Sequence, residues 1–294
     1  MKKICLLGGN GYIGSSLYKN LDYNLTSIDL CWFGKDLGHS KKIDAGSLTP
    51  SFLGQFDTIL LFSGHSSVKM CEGPYDSVFK NNVKVFENIA SNLLSYQTLI
   101  YASSGSVYGN KSFEAIEEGE LQLPINHYDK SKQEIDKLCR IYLSSGKKII
   151  GLRLGTVNGW SPNLRTDLMI NGMVIKSLTD IMVVSNLGIQ RPILGIKDLV
   201  RAIDNIIQDP KPGVYNLASF NTTVDEVSNN ICNLLKVSRN IDQTPGVIYD
   251  FSMNTNKFQK TYQFTFKDSI DSIVTSLLDK TYQVSNRNQY INYV

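Results

Sequence analysis

Histidine is scarce in this chain of 294 residues, with only His39, His65 and His127. They are widely separated and lack carboxylate partners at ligand spacing, so no resident metal site is expected. The five cysteines (Cys5, Cys31, Cys71, Cys139 and Cys232) are odd in number, scattered, and form no C-x-x-C pair. That pattern excludes a disulfide framework and reads as reduced thiols in a cytoplasmic protein. An excess of one charge is also missing: 30 Lys and Arg stand against 27 Asp and Glu, both signs interspersed, for a net charge of +3. Neither a nucleic-acid-binding face nor a membrane-binding one is indicated. No apolar run approaches the ~20 residues that cross a bilayer, and Met1-Lys2-Lys3 leads straight into an apolar segment, leaving no room for a signal peptide. There is no internal repeat. Composition is that of an ordinary globule able to bury a large core, as one long domain or a domain with a smaller lobe.

What is present is an alternation of short apolar runs with helical patterns. Runs at 3–7, 24–28, 57–62, 98–103 and 147–154 read as buried parallel strands, Ile59-Leu60-Leu61-Phe62 most clearly. A doubly wound α/β sheet of Rossmann type follows. The first run leads into Gly8-Gly9-Asn10-Gly11-Tyr12-Ile13-Gly14 and then a helix over 15–21. Glycines at 8, 11 and 14 allow a tight turn, close approach of backbone to a pyrophosphate, and tight helix–strand contact. The N–H groups opening that helix form an anion site in which Tyr12 and Ile13 lie. The second strand ends in Asp29, about 20 residues on, where a carboxylate can accept bonds from an adenosine ribose. The same carboxylate would repel a 2′-phosphate, so NAD is favoured over NADP; Lys35, Lys41 and Lys42 could offset that repulsion. Thr265 to Leu278 reads as a last amphipathic helix, and the Asn-, Gln- and Tyr-rich tail from Gln283 to Val294 as loosely held.

Tyr128 and Lys132 lie four residues apart in a helical pattern and so share one face. A free tyrosine ionises near pH ~10, and serving as a base at neutrality requires a drop of about three units. An adjacent ammonium, helped by a cationic nicotinamide ring, lowers such a value by ~1–3 units.

Together with these motifs, later segments carry a resemblance over Lys3 to about Asp279. The chain resembles the extended short-chain dehydrogenase/reductase family, in its NAD-dependent nucleotide-sugar epimerase/dehydratase branch, whose best-known member is UDP-glucose 4-epimerase. Ile43-Asp44-Ala45 resembles the segment that contacts adenine, which implies that Asp44 and Ala45 touch the cofactor. Ile59 to Gly64 resembles the family's fourth strand, placing Ser63 and Gly64 beside the cofactor. Asn81-Asn82-Val83 resembles its helix asparagine motif, implying that Asn82 bonds backbone around the cofactor strands. Ser103-Ser104-Gly105-Ser106-Val107-Tyr108-Gly109 resembles the end of its fifth strand, implying Ser103 at the cofactor and Ser104 as the hydroxyl acting with Tyr128 and Lys132. Arg191-Pro192-Ile193-Leu194-Gly195 resembles the segment whose arginine holds the substrate pyrophosphate. The resemblance also implies His65, Thr156, Arg165 and Asn171 as substrate contacts, although family members acting on UDP-galactose have asparagine where Thr156 stands.

By the same resemblance, residues 1–158 form the nucleotide-binding domain and 159–294 a substrate lobe, with a late strand near 213–217 returning to the main sheet. A homodimer through the helix carrying Tyr128 and its neighbour near 81–95 is implied. The expected activity is NAD-dependent epimerisation of a nucleotide-activated sugar through a transient ketone. The alternatives are an NAD(P)-dependent nucleotide-sugar reductase or dehydrogenase, which needs the same residues, and a non-catalytic dinucleotide-binding regulator. A 4,6-dehydratase is disfavoured because Gly105 and Ser106 stand where those relatives carry an Asp-Glu pair.

Overall fold

Strands covered by helices on both faces are apolar along their whole length, and Ile4, Cys5, Leu6 and Leu7 are all buried. The computed structural model of the protein describes residues 1–110, 114–119, 121–179, 181–243 and 249–285. Its main sheet contains β1 (Lys3–Leu7), β2 (Asn24–Ile28), β3 (Thr58–Leu61), β4 (Thr98–Ser104), β6 (Ile149–Leu154) and β10 (Gly213–Leu217). Shorter strands outside it are β5 (Glu114–Ala115), β7 (Thr156–Asn158), β8 (Met182–Val184), β9 (Gln190–Gly195), β11 (Phe220–Thr223), β12 (Arg239–Ile241) and β13 (Ser252–Met253). The main sheet is parallel throughout, in the order β10-β6-β4-β3-β1-β2. The chain turns one way from β1 to β2 and the other way to β3, which opens a crevice at the carboxyl ends of β1 and β3 where open α/β sheets bind ligands.

Alternate side chains of β1 feed two cores. Ile4 and Leu6 meet α1 (Tyr12–Asn20) and α7 (Ile196–Gln208) on one face, while Cys5 and Leu7 meet α2 (Pro50–Leu53), α4 (Val85–Ser91) and α5 (His127–Ser144) on the other. The short helix α3 (Tyr75–Val78) runs through a π-helical turn, Phe79–Lys84, into α4. A third core joins α6 (Met169–Thr179), α8 (Val224–Leu235) and α10 (Ile270–Ser285) with β8 and β9. Helix α9 (Asn256–Tyr262) packs Phe258 into the first core.

Two helix boundaries differ from the pattern. Helix α1 opens at Tyr12, not at 15, because Gly11 in extended conformation already caps it. The last helix starts at Ile270, not at 265: the N–H groups of Lys267 and Asp268 are taken by the Asp198 carboxylate, and the Ser272 N–H is capped by Ser269. The tail from Gln283 to Val294 lies outside the described residues beyond Ser285.

One buried ion pair fastens α5 to the sheet. Arg153 on β6 donates from Nε to Asp136 on α5 at 2.8 Å, with both side chains essentially inaccessible. Tyr101 on β4 donates to the same carboxylate at 2.8 Å, and Arg153 also donates to the Tyr108 hydroxyl at 2.8 Å. Removing one partner of such a pair strands the other charge, at a cost of about 3–5 kcal/mol, whereas replacing both by apolar groups is far milder. Asp136→Leu should therefore lower unfolding stability by several kcal/mol, and adding Arg153→Met should recover much of the loss. Urea unfolding of the two single variants and the double variant measures this, and strictly additive losses would contradict it.

Candidate active site

The glycine-rich turn is shaped by what each glycine would otherwise strike. Gly8 has φ +88°, and a Cβ there would stand 2.6 Å from the backbone of Phe62 and Ser63. A Cβ on Gly14 would meet the Gly8 carbonyl oxygen at 1.9 Å, so α1 lies against β1 with no space for a side chain. Gly11 caps α1 without a side-chain bond, leaving first-turn N–H groups free to face an anion. Asp29, at the end of β2, accepts from the N–H groups of Asn10 (2.9 Å) and Cys31 (2.8 Å). Those bonds aim the carboxylate across the glycine turn. Asp44 caps the short turn Ala45–Ser47 from an exposed position, and Ala45 packs half-buried against the second core. Lys42 is engaged by Asp36 at 2.8 Å.

Residues 159–163 close over this turn. Tyr12 donates to the Gly159 carbonyl at 2.7 Å, and Ser161 bonds both Ser15 (2.9 Å) and the Tyr12 carbonyl (2.6 Å). Asn163 donates to the carbonyls of Asn10 and Lys35. On the opposite side, Asn82 in the π turn holds the backbone of His65, accepting from its N–H at 2.8 Å and donating to its carbonyl at 3.2 Å. The Ser63 and Ser103 hydroxyls are buried without partners among the described residues. Two orphaned hydroxyls beside an open glycine turn and a ribose-height carboxylate suit a dinucleotide, since buried polar groups ordinarily find partners.

A cleft of about 290 Å³ opens next to this region. It brings together Tyr12, Ile13, Ser63, Gly64, His65, Ser103, Ser104, Tyr128, Lys132, Thr156, Arg165 and Arg191 from segments spread over the chain. Asn171 is not among the lining residues. Its side chain is fully buried and is taken up by the Gly159 N–H, the Arg165 carbonyl and the Tyr12 hydroxyl, so it braces the wall. Ser106, Pro192, Tyr249 and Phe251 line the cleft too. The last two come from the segment leading into β13, which carries no motif and is brought to the site by tertiary pairing, β13 with β5 and the Phe251 N–H with the Gln190 carbonyl.

The cleft's polar groups are strongly affected by burial. Ser104 ends β4, and its hydroxyl lies 2.9 Å from that of Ser106. Tyr128 is the second residue of α5, which Asn126 caps by accepting from the Asp129 N–H. Lys132, one turn on, donates to the Ala102 carbonyl at 2.9 Å, its Nζ standing 5.7 Å from the centre of the Tyr128 ring. Burial pushes the Tyr128 hydroxyl up to about 12, against lowering by a hydrogen bond with Ser104 and by the Arg165 charge. Burial likewise brings Lys132 down to about 8. In the protein alone, desolvation dominates both groups and favours their neutral forms.

Arg191 donates to the Tyr249 carbonyl at 3.2 Å, and burial weakens its hold on its proton. Arg165 forks onto Asp167 through two bonds, which already balance much of its charge. Burial lowers the proton affinity of the His65 imidazole; its Nε2 lies 3.3 Å from Asn81 and its Nδ1 is buried without a partner among the described residues.

Folding around a charged Lys132 is unfavourable below pH about 8, and the penalty fades as pH rises towards the ordinary lysine value of 10.5, where both states are neutral. A depression of this size corresponds to an order of 3 kcal/mol. Lys132→Met should therefore stabilise the fold near pH 7 and lose that advantage near pH 10, as read by chemical unfolding at both pH values. A gain that does not depend on pH would contradict this origin.

The sequence pattern of the NAD dependent epimerase/dehydratase family matches residues 4–218. The chain is similar to the uncharacterized UDP-glucose epimerase YtcB of Bacillus subtilis, 26% identical over 238 residues that cover 71% of this chain and 73% of that protein. It is 29% identical over 182 residues to an ADP-L-glycero-D-manno-heptose-6-epimerase of Brachyspira hyodysenteriae, covering 54% of this chain and 56% of the relative. In fold it is similar to the UDP-glucuronic acid 4-epimerase from Bacillus cereus, solved with UDP-glucuronic acid and NAD, with a TM-score of 0.83 at 20% identity over 96% of this chain and 99% of that one. With a match running from β1 through β10 and the glycine turn, Ser104, Tyr128 and Lys132 all inside it, the chain belongs to the NAD-dependent epimerase/dehydratase family.

Proposed function

We propose that the protein is an NAD-dependent epimerase of a nucleotide-activated sugar, inverting one hydroxyl-bearing carbon through a transient ketone. The observation that supports this is that Ser104, Tyr128, Lys132 and Arg191 line one cleft. The residues that would hold NAD are Gly8, Gly11 and Gly14 at the pyrophosphate, Asp29 at the adenosine ribose, Asp44 and Ala45 towards adenine, and Ser63, Ser103 and Lys132 towards nicotinamide. The chemistry NAD supplies when bound is reversible acceptance of a hydride.

Tyr128, as phenolate, takes the proton from the substrate hydroxyl and later returns it. Ser104 donates to the same oxygen and steadies its charge as the carbonyl forms and collapses. Lys132 in its charged form favours the phenolate. Arg191 clamps the diphosphate with a planar fork of donors that lysine lacks, while His65, Thr156 and Arg165 contact the sugar side. The names of the relatives above support epimerisation, and Gly105 and Ser106 leave no acid next to Ser104 for elimination.

Two copies are proposed to pair through α4 and α5. Ile141 on α5 is 62% exposed, and Leu94 and Tyr96 just past α4 are 45% and 54% exposed, apolar side chains that such a pairing would cover. Light scattering should return twice the chain mass, and Ile141→Lys should shift it to the monomer; a monomer at all concentrations would rule the pairing out.

Denaturing the freshly purified protein should release near-stoichiometric NAD, and incubation with UDP- and ADP-linked sugars should interconvert one epimeric pair. Tyr128→Phe should lower turnover by about 10²–10⁴-fold while retaining NAD. A protein purified empty that reduces a 4-keto sugar with NADH would instead establish the reductase.

A further inference from the structure

Tyr128 is the second residue of α5, and the N–H groups of a helix's first turn have no acceptors within the helix. The Arg153–Asp136 pair grips α5 about two turns further on, so the first turn needs a hold of its own. Three side chains provide it. Asn126 caps the helix by accepting from the Asp129 N–H at 2.9 Å, and its Nδ2 donates to Asp129 Oδ2 at 2.9 Å. The Tyr249 hydroxyl donates to the same oxygen at 2.7 Å and accepts from Asn126 Nδ2 at 2.5 Å. Asp129 is only 1% exposed, and a carboxylate buried so far is costly unless it is bonded.

Tyr249 comes from a distant part of the chain, 120 residues beyond Asp129, in the segment before β13. There Asp250 Oδ1 accepts from the Gln190 N–H at 2.8 Å, and the Phe251 N–H donates to the Gln190 carbonyl at 3.2 Å. The segment is thereby fastened to the start of β9. The next residue of that strand, Arg191, donates to the Tyr249 carbonyl at 3.2 Å. One residue thus holds the first turn of α5 through its hydroxyl and the Arg191 guanidinium through its carbonyl. Helix capping alone does not call for this, because Asn126 caps α5 by itself.

We propose that Tyr249 is a positioning residue that sets the separation between Tyr128 and Arg191. The proposal rests on the epimerase reading, in which Tyr128 takes the proton and Arg191 the diphosphate. In a nucleotide sugar the reacting hydroxyl and the diphosphate are joined covalently, which confines their separation to a narrow range. Protein groups that serve both ends must be held to match, and a misplacement of about 1 Å can cost about 10²-fold in rate. A tyrosine side chain turns about only two bonds, so as a spacer it is ordered at little entropic cost. Tyr249 acts on Tyr128 through Asn126 and Asp129, the residues that shape the turn on which the phenol is carried.

Tyr249→Phe removes the hydroxyl and keeps both the ring and the carbonyl. It should lower kcat for epimerisation roughly 10–10²-fold and leave KM for the nucleotide sugar within about twofold. As much NAD should be released on denaturation as from the wild type. Amide hydrogen exchange, followed by mass spectrometry, should quicken over residues 126–132 and stay unchanged over α7. Asn126→Ser keeps a helix cap but loses the amide that joins Tyr249 to Asp129, so it should give the same pattern. That variant also serves if Tyr249→Phe fails to fold. Exchange unchanged over 126–132, or quickened throughout the chain, would overturn the local hold. A raised KM at unchanged kcat would overturn it as well, making Tyr249 a binding contact instead. If the wild type epimerises no UDP- or ADP-linked sugar, the functional reading falls, while the exchange comparison still decides whether Tyr249 holds the turn.

Discussion

The fully buried pair of Arg153 and Asp136 is the constraint on which the site depends. Arg153 lies on β6 beside Ser103 of β4 in register, while Asp136 lies one helical turn beyond Lys132 and two beyond Tyr128. Fixing Asp136 to β6 therefore fixes the height and rotation of α5 against the strand that carries Ser104. In a low-dielectric interior this attraction is strong only while every partner is present. Tyr101 and Tyr108 supply those partners, and Tyr108 passes the network to Asn216 on β10 at 2.7 Å. The hydroxyl, phenol and ammonium thus converge through a polar cluster behind them, not through contacts in the cleft.

That rigidity meets an opposing electrostatic demand in front. A phenol and an amine held apart from water both favour the uncharged state, yet the proposed chemistry needs phenolate and ammonium. The fold supplies pre-aimed partners, namely Ser104, the Ala102 carbonyl and the Arg165 charge, that shorten the way to the charged pair. Groups placed against their own preference in a preformed cleft are common where function and stability compete. The carboxylate of Asp129 belongs to the same balance, since its charge opposes ionisation of its neighbour.

Much of this was legible in the chain. Short apolar runs marked five strands of the main sheet because strands buried on both faces carry no alternating polar residues. The glycine turn was legible because only glycine tolerates both the positive φ at Gly8 and the contact at Gly14. Less accessible was anything set by tertiary pairing. Tyr249 and Phe251 enter the cleft from a segment far from every motif. Asn171 shows the converse: a polar residue near a substrate segment whose donors and acceptors are consumed by the backbone around it. Arg165, similarly, is partly neutralised by Asp167 two positions away, a pairing that spacing alone does not reveal.

The π-helical turn at Phe79–Lys84 sets how this region can change over evolution. Such a turn holds one residue more than an α-helix of the same rise, and it commonly arises at functional sites. Losing that residue would let the helix revert to regular winding, turning everything on one side of it by about 100° relative to the other. Asn82 would then leave the backbone of His65, and the segment after β3 would lose its brace. Single-residue deletions should thus be purged from this helix. Length variation among descendants of this chain would be a record of where the site is held.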